Sequence, residues 1–264
     1  MLTGRGLVTI VTVVGLGEAG RLYAVGLLAS GAIVRGYDPF VTLSDASVTQ
    51  FDTIGPAVDS ADIVISLVGA NASTGVAESV FPQLGPATTY ADFNTASPAV
   101  KAQLAAQAAE AGIRFADVAV LAPVNRAGSK TPLMASGTGA GRLAELLEPF
   151  GVPIEAIPGD AGAAASRKLL RSVFMKGLAG VVLESIAAGE AADSKAWIRD
   201  QIAAELGPEG HALVERLVTS SRIHAVRRQH EVEDAADYLR QLGTPSWMTE
   251  GTIHWLSSLQ KGQS

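Results

Sequence analysis

The sequence predicts an α/β domain with a mostly parallel, doubly wound sheet, followed by an all-α C-terminal domain. Short apolar runs rich in β-branched residues alternate with helical patterns over the first 157 residues, and such alternation requires crossovers between parallel strands. Beyond residue 159 the segments have helical spacing only. A glycine-rich turn follows the first apolar run. We therefore predict domains covering residues 1–158 and 159–264.

The predicted elements of the first domain are short and bounded by Gly, Pro, Asn and Asp. Its strands are predicted at residues 7–14, 33–37, 62–68, 88–93, 113–121, 132–136 and 153–157. Its helices are predicted at residues 21–30, 73–84, 98–111 and 141–150. The second domain is predicted to contain helices at residues 161–189, 194–206, 209–218, 220–242 and 245–260.

Composition excludes several classes of protein. The 264 residues include no cysteine, which excludes disulfides and Cys-based metal sites. The formal net charge of −6 argues against nucleic acid as a partner. The apolar run at residues 7–16 is too short to span a membrane and has no cleavage site behind it, so we expect a soluble, cytoplasmic protein. The four histidines do not form a metal-ligand pattern, and we expect no metal.

The glycine-rich turn has the spacing G-x-G-x-x-G. It consists of Gly15, Leu16, Gly17, Glu18, Ala19 and Gly20. An apolar strand precedes it and a helix follows, which is the context of a Rossmann-type dinucleotide site. The first glycine permits the turn, the second lets a pyrophosphate approach the backbone, and the third allows close packing of helix and strand. The helix N-terminus offers free N–H donors to the phosphates.

Asp38 stands 18 residues beyond Gly20, at the end of the second predicted strand. A carboxylate there can accept hydrogen bonds from the adenine ribose hydroxyls and repels a 2′-phosphate. Residues 39–43 contain no Arg or Lys to bind that phosphate. The pattern favours NAD over NADP, with NADP left open. The alternative is an ordinary turn in which Asp38 caps a helix.

Two further strand ends should face the same ligand, because ligands lie over the carboxyl ends of the strands in such sheets. Val68 and Gly69 follow one strand, and Asn94 and Thr95 follow the next. Asn94 and Thr95 are placed to contact the nicotinamide ribose or carboxamide. The alternative is that they cap, with Ser97, the helix that begins at Pro98.

The long helix of the second domain carries the reactive candidates. Small residues at 162–165 precede Lys168, and Ser172 follows at i+4 on the same face. A lysine facing an apolar cleft loses water, which lowers an ammonium pKa and suits it to move a hydroxyl proton. Lys176 lies beside this face. The alternative is a lysine whose stem lies on the surface and whose ammonium is solvated.

These motifs together resemble the β-hydroxyacid dehydrogenases, which are related to 6-phosphogluconate dehydrogenase. The likeness covers essentially the whole chain: GLGEAG at residues 15–20, DFNTASP at 92–98 and GAAASRK at 162–168. It implies an NAD-binding domain joined to a helical domain that forms a homodimer. It also implies that Lys168 is the catalytic lysine, with Ser172 where the family usually has asparagine. The stretch Met175-Lys176-Gly177 points to a divergent branch of the family.

The substrate segment departs from the family pattern. Where the family has D-A-P-V-S-G-G, this chain has Leu121, Ala122 and Pro123 in place of the serine and the two glycines. Replacement donors could be Asn125 and Arg126, or a late cluster that shares parts of a helix face. That cluster comprises Arg222, His224, Arg227, Arg228 and His230. For each of its members a solvated helix face is the alternative.

The sequence therefore predicts an NAD(P)-dependent oxidoreductase. It would transfer hydride between nicotinamide and the hydroxyl-bearing carbon of a small, hydroxyacid-like substrate, with Lys168 as general acid and base and Leu121, Ala122, Asn125, Lys176 and His230 near the substrate. Two alternatives stay open: an imine reductase on the same architecture, and a catalytically silent dinucleotide-binding sensor or scaffold. A homodimer is expected because the helix at 161–189 is apolar nearly all round.

Overall fold

A computed structural model describes residues 9–43 and 47–261. The chain divides into two compact units, Met1–Lys168 and Leu169–Ser264. The predicted domain boundary after residue 158 stays a prediction; this division falls ten residues later. Residues 7 and 8 of the first predicted strand lie outside the described residues.

The first unit is built on one eight-stranded sheet with the order β3-β2-β1-β4-β5-β6-β7-β8. All neighbouring strands are parallel except β6 and β7, which are antiparallel. The order reverses between β1 and β4, where sheets of this kind bind their ligands. The strands are β1 (Ile10–Val14), β2 (Ile33–Tyr37), β3 (Thr49–Phe51), β4 (Ile63–Ser66), β5 (Thr89–Asp92), β6 (Arg114–Val120), β7 (Leu133–Ser136) and β8 (Ile154–Ala156).

Helices connect these strands. They are α1 (Glu18–Ala29), α2 (Ile54–Val58), α3 (Ala70–Val80), α4 (Pro98–Glu110), α5 (Val124–Ala127) and α6 (Ala140–Leu147). Single turns of 3₁₀-helix follow α3, α5 and α6 at Phe81–Gln83, Gly128–Lys130 and Glu148–Phe150. Helices lie in the connections from β1 to β2, from β4 to β5, from β5 to β6 and from β7 to β8, because parallel neighbours require the chain to return to the same edge of the sheet.

Both faces of the sheet are buried. Along β4, Ile63 and Ile65 belong to one apolar cluster, with Leu27 of α1. Val64, between them, belongs to the other, with Leu104 of α4. Alternate residues of a strand point to opposite faces, so a strand covered on both sides needs a continuous apolar run. The short apolar runs in the sequence reflect this arrangement.

The second unit is helical. Helix α7 (Ala163–Ala191) begins in the first unit and continues through the second, which also contains α8 (Lys195–Glu205), α9 (Gly210–Ile223), α10 (Ala225–Gln241) and α11 (Trp247–Lys261). Its core comprises Ala179, Val182, Leu183, Ile186, Ala203, Val214, Leu217 and Val218. By length and composition α7 could also cross a membrane, a test that core helices of soluble proteins pass as well.

The predicted fold class is confirmed: a mostly parallel sheet with helices precedes a helical region. Of the numbered strands and α-helices, β3, α2 and α5 were not predicted; they have three, five and four residues and are too short to show a period. The break between α9 and α10 lies at His224 rather than at residue 219.

Candidate functional site

The glycine-rich turn connects β1 to α1 and depends on its glycines in different ways. Gly15 has φ +93°, and a Cβ there would lie 2.4 Å from the carbonyl oxygen of Leu67. A Cβ on Gly20 would lie 1.8 Å from the carbonyl oxygen of Gly15. A Cβ on Gly17 would meet no described heavy atom within 4 Å. The first and third glycines are therefore required by the protein itself, whereas the middle one borders open space.

Asp38 is tied to this turn. Its Oδ2 accepts a hydrogen bond from the backbone N–H of Leu16 at 2.7 Å, and its Oδ1 accepts from the N–H groups of Phe40 and Val41 at 2.8 and 3.0 Å. These bonds fix the carboxylate at the carboxyl end of β2, beside the glycine turn. A carboxylate offers about four lone-pair sites, so a ribose hydroxyl can still donate to it.

Asn94 is buried, and its side-chain amide is engaged within the protein. Its Oδ1 accepts from the N–H groups of Val68 and Gly69 at 2.7 and 2.8 Å, and its Nδ2 donates to Ser66 Oγ at 2.9 Å and to Asp92 Oδ1. These bonds hold the loop after β4 against the loop after β5. The predicted contact of Asn94 with nicotinamide stays a prediction.

Thr95 and Lys168 lie together, as candidates for one site should. The Lys168 Nζ donates to Thr95 Oγ1 at 3.1 Å. Lys168 is half-buried, in the second turn of α7, and Thr95 is exposed after β5. Ser97, by contrast, does what the capping alternative expected: its Oγ accepts from the Val100 N–H at the start of α4.

A buried charge cluster lies behind these residues, and sequence reasoning missed its central member. Lys101 of α4 is 1% exposed, and its Nζ lies 3.1 Å from Asp92 Oδ2 and 3.3 Å from Asp117 Oδ1, both carboxylates being fully buried. It also donates to the Asp92 carbonyl at 2.8 Å. A signal existed: Lys101 shares the buried stripe of α4 with Leu104 and Ala108.

Asp117, in the middle of β6, holds the start of α7. Its Oδ2 accepts from the backbone N–H groups of Gly162 and Ala165, each at 3.0 Å. Ser136 Oγ lies 3.3 Å from the same oxygen and accepts from the N–H of Ala164 at 3.0 Å. First-turn amides of a helix have no partner within the helix, so these side chains replace a local cap.

The segment after β6 carries the altered substrate motif. Leu121 is half-buried and packs in the small cluster around Ala119, Ile157 and Ala164, while Ala122 is half-buried and Pro123 exposed. None of the three residues at 121–123 has a polar side chain. Asn125 and Arg126 are exposed on α5, directly beyond them.

The remaining predicted residues belong to the second unit. Ser172 is half-buried on α7. Lys176 forms an ion pair with Glu231 of α10, with Nζ and Oε2 2.9 Å apart. His230 lines a surface pocket of about 550 Å³ with Arg222, His224, Arg227 and Gln260 among its neighbours. In the described ranges no group of three His, Asp or Glu side chains could hold a metal ion.

The first unit fits a dinucleotide. The open space at Gly17, the first amides of α1 and the fixed carboxylate of Asp38 lie at the carboxyl edge of the sheet. Residues 10–155 match the family model described as the NAD binding domain of 6-phosphogluconate dehydrogenase. Residues 190–259 match a domain of unknown function, DUF1932. The first unit is therefore a pyridine-nucleotide-binding domain.

Individual relatives agree with this fold. An uncharacterized 28.5 kDa protein of Methanothermus fervidus is 32% identical over 179 residues, 66% of each chain. A conserved hypothetical protein from Sinorhizobium meliloti has a TM-score of 0.78 at 27% identity, over 97% of this chain and 90% of that one. The 3-hydroxyisobutyrate dehydrogenase of Mycobacterium tuberculosis, solved with L-serine, has a TM-score of 0.80 at 20% identity, over 96% and 94%.

An imine reductase is also similar in structure. The enzyme from Myxococcus stipitatus, solved as a variant with NAD⁺, has a TM-score of 0.64 at 16% identity, over 96% of this chain and 94% of that one. At these identities the likeness to both enzymes shows a common fold: that of the hydroxyacid dehydrogenases, shared with the imine reductases.

Proposed function

Because the chain belongs to the family of the NAD-binding domain of 6-phosphogluconate dehydrogenase, we propose that it is an NAD-dependent oxidoreductase. It transfers a hydride between nicotinamide and the hydroxyl-bearing carbon of a small, hydroxyacid-like substrate. The observation that carries this proposal is the 3.1 Å hydrogen bond from Lys168 Nζ to Thr95 Oγ1. Thr95 follows β5, at the sheet edge over which ligands of such folds lie.

The chain's own residues supply binding and proton transfer. Bound nicotinamide supplies the hydride acceptor for oxidation and the donor for reduction. The amides at the start of α1 bind the pyrophosphate, and Asp38 binds the adenine ribose. Lys168 accepts the proton of the substrate hydroxyl during oxidation and returns it during reduction, while Thr95 orients the amine. Val68 and Gly69 border the dinucleotide, with their amides fixed by Asn94.

The preference for NAD over NADP follows from charge. The carboxylate of Asp38 repels a 2′-phosphate, and residues 39–43 lack a cation. Arg35 of β2 is engaged elsewhere, because its Nη1 donates to the Asp59 carbonyl oxygen and its guanidinium lies 5.9 Å from the Phe51 ring centroid. Titration with NADH and NADPH tests this preference. Equal affinity for NADH and NADPH would contradict the preference. Asp38→Asn should reduce the difference between the two affinities.

Replacing Lys168 tests the proton transfer. Lys168→Met should lower kcat by at least a hundredfold, the scale of general acid–base catalysis, while NADH affinity stays within about threefold. The neighbouring Arg167 is exposed on the same helix, so Arg167→Met is the matched control and should keep its activity. Full turnover by Lys168→Met would remove Lys168 from the mechanism.

The substrate is the least determined part of the proposal. We place its polar groups near Asn125 and Arg126, since Leu121, Ala122 and Pro123 offer no side-chain donor. The contacts of Ser172, Lys176 and His230 with the substrate stay predictions from the sequence. A panel of short hydroxyacids with NAD⁺, including 3-hydroxyisobutyrate and L-serine, tests the substrate class. Tight NADH binding without turnover of any compound would favour a sensor or scaffold.

A second candidate function is the reduction of C=N bonds. The observation that favours it is the apolar segment at residues 121–123, which suits a substrate without a carboxylate. A lysine at position 168 favours an alcohol instead, because the amine can take the hydroxyl proton. Assays of cyclic imines with NADH beside the hydroxyacids separate the two candidates: oxidation of NADH by imines alone would favour the imine reductase.

We propose that the enzyme is cytoplasmic and forms a homodimer. Within the second unit, α7 exposes Leu170, Phe174 and Val181, whose relative exposures are 46%, 67% and 48%. Their spacings of four and seven residues place them on one face of the helix. An exposed apolar stripe of this length favours a protein partner, and a second copy of the chain offers the same stripe. Sedimentation of a monomer at micromolar concentration would contradict the proposal.

A further inference from the structure

Lys101 takes no part in the chemistry proposed above, yet it is a buried lysine inside the candidate site's supporting structure. We propose that Lys101 is a positioning residue: its ammonium joins Asp92 to Asp117 and thereby fixes the hydrogen bond between Lys168 and Thr95. The inference rests on the proposed function, in which Lys168 moves the substrate proton. It concerns the geometry of that amine rather than the reaction itself.

The ammonium offsets a repulsion built into the sheet. Asp92 and Asp117 are register partners on the adjacent strands β5 and β6, so two buried carboxylates lie side by side. Neither Asp92 Oδ2 nor Asp117 Oδ1 receives a well-directed hydrogen bond from the described residues, and both lie within 3.3 Å of Lys101 Nζ. The ammonium also donates a hydrogen bond to the Asp92 carbonyl oxygen at 2.8 Å, which holds it beside both carboxylates.

The other oxygen of Asp92 leads toward Thr95. Asp92 Oδ1 accepts from the backbone N–H of Asn94 at 3.0 Å and also from its side-chain amide. Asn94 in turn holds the amides of Val68 and Gly69. Thr95 is the next residue along the chain. The position of Asp92 therefore determines the backbone that presents the Thr95 hydroxyl.

The other oxygen of Asp117 leads toward Lys168. Asp117 Oδ2 accepts hydrogen bonds from the amides of Gly162, just before α7, and Ala165, in its first turn. Gly162 lies close against α4: its φ is +104°, and a Cβ would lie 2.8 Å from the carbonyl oxygen of Pro98. Lys168 follows Ala165 by three residues, close to one helical turn. The position of Asp117 therefore determines where α7 presents the Lys168 amine.

The ammonium is the positive charge that joins the side chains of the two arms. A carboxylate left without its counter-charge in the interior must move toward water or take up a proton. Either change releases the contacts of Asp92 or Asp117 that hold the two loops. Removing the charge of Lys101 should therefore loosen the start of α7 and the turn at Thr95 before it affects the rest of the sheet.

Amide hydrogen exchange of the intact chain, without dinucleotide, tests this coupling. In Lys101→Met the amides of Gly162 and Ala165 should exchange at least tenfold faster than in the wild type. Leu27→Ala is the matched control, because Leu27 is fully buried at the far end of α1, toward the opposite edge of the sheet. At equal global stability, the control should leave these amides protected.

A second signal reports on Lys168 itself. After reductive methylation with ¹³C-formaldehyde, the Lys168 resonance should shift in Lys101→Met and keep its wild-type position in Leu27→Ala. Equal behaviour of the two variants in both measurements would reduce Lys101 to a contributor to stability and overturn the proposal. So would unchanged protection in Lys101→Met.

A charge-balanced variant covers the case in which Lys101→Met does not fold. Lys101→Met combined with Asp92→Asn restores the net charge of the cluster and keeps an oxygen for Asn94. We expect this double variant to fold and still to exchange its Gly162 and Ala165 amides rapidly. Full recovery of protection would show that charge balance alone suffices and overturn the proposal. None of these measurements uses NADH, so failure of the proposed function would be seen separately.

Discussion

Replacing Gly17 by alanine should separate dinucleotide binding from folding. Gly17 has φ −59° and ψ −167°, a conformation that any residue can adopt. An added Cβ would meet no described heavy atom within 4 Å. The protein itself therefore tolerates the methyl group, and any damage must come from a molecule that occupies the open space.

The effect on stability should be close to zero, because two small terms oppose each other. Alanine restricts the unfolded chain and stabilises the fold by about 0.4–1 kcal/mol. Gly17 is also the N-cap of α1, where alanine is worse than glycine by roughly the same amount. For a unit of this size, the remaining difference corresponds to a change in Tm of less than about 4 °C.

The effect on binding should be large. A pyrophosphate pushed outward by the methyl group loses hydrogen bonds to the first amides of α1. Hydrogen bonds to charged groups contribute about 1.5–3 kcal/mol each, so the loss of two corresponds to about 3–6 kcal/mol. Since about 1.4 kcal/mol is a tenfold change, NADH should bind to Gly17→Ala at least a hundredfold more weakly.

The assay combines NADH fluorescence titration with thermal unfolding of the same samples. Gly141 supplies the control: it is an exposed glycine of α6, again with no described heavy atom near an added Cβ. Gly141→Ala should bind NADH like the wild type. If Gly17→Ala also bound NADH with wild-type affinity, the turn would not be the pyrophosphate site.

Three further predictions follow from single contacts. Phe174→Glu places a charge in the exposed apolar stripe of α7. Sedimentation should then show a monomer instead of a dimer, while the circular dichroism spectrum shows that the helices remain folded. Ser97→Ala removes the cap of α4 and should lower the free energy of unfolding by about 1 kcal/mol without changing NADH affinity; a large loss of affinity would give Ser97 a role at the ligand. Burial raises the pKa of Tyr90 above its ordinary value, and the Asp92 charge adds to the increase. Because the unfolded chain ionises first, stability should fall as pH rises above about 10, and less steeply in Tyr90→Phe; identical alkaline profiles would contradict this.

Much of the first unit could be predicted because its elements are local. The strand β2 was predicted with its observed bounds, and α4 to within one residue, since apolar runs, Pro98 and the glycine beyond the helix mark them. β3 and α2 are different: β3 consists of three half-buried or exposed residues paired only with β2. Its existence depends on a neighbouring strand rather than on its own pattern.

The candidate site likewise contains parts that the local sequence predicts and parts that depend on the folded structure. The glycine turn is one continuous segment, so its sequence alone locates it, and the pairing of Thr95 with Lys168 follows once strand ends and the helix start share an edge. The contact of Asn94 with nicotinamide stays a prediction, but its residue type could not reveal that four hydrogen bonds within the protein engage its side-chain amide. Which hydrogen bonds a side chain forms depends on the folded structure.

Lys101 shows the limit most clearly. The spacing of Lys101, Leu104 and Ala108 places all three on the buried stripe of α4, so the sequence indicates that this lysine is buried. It does not contain the reason, because the two carboxylates come from different strands and meet only when β5 and β6 pair. Burying a lysine without counter-charges would cost too much free energy. With two carboxylates beside it, the ammonium is stabilised and joins the two strands that carry them. A charged residue on an apolar helical stripe, with acids on nearby strands, is therefore a pattern that predicts a supporting charge cluster.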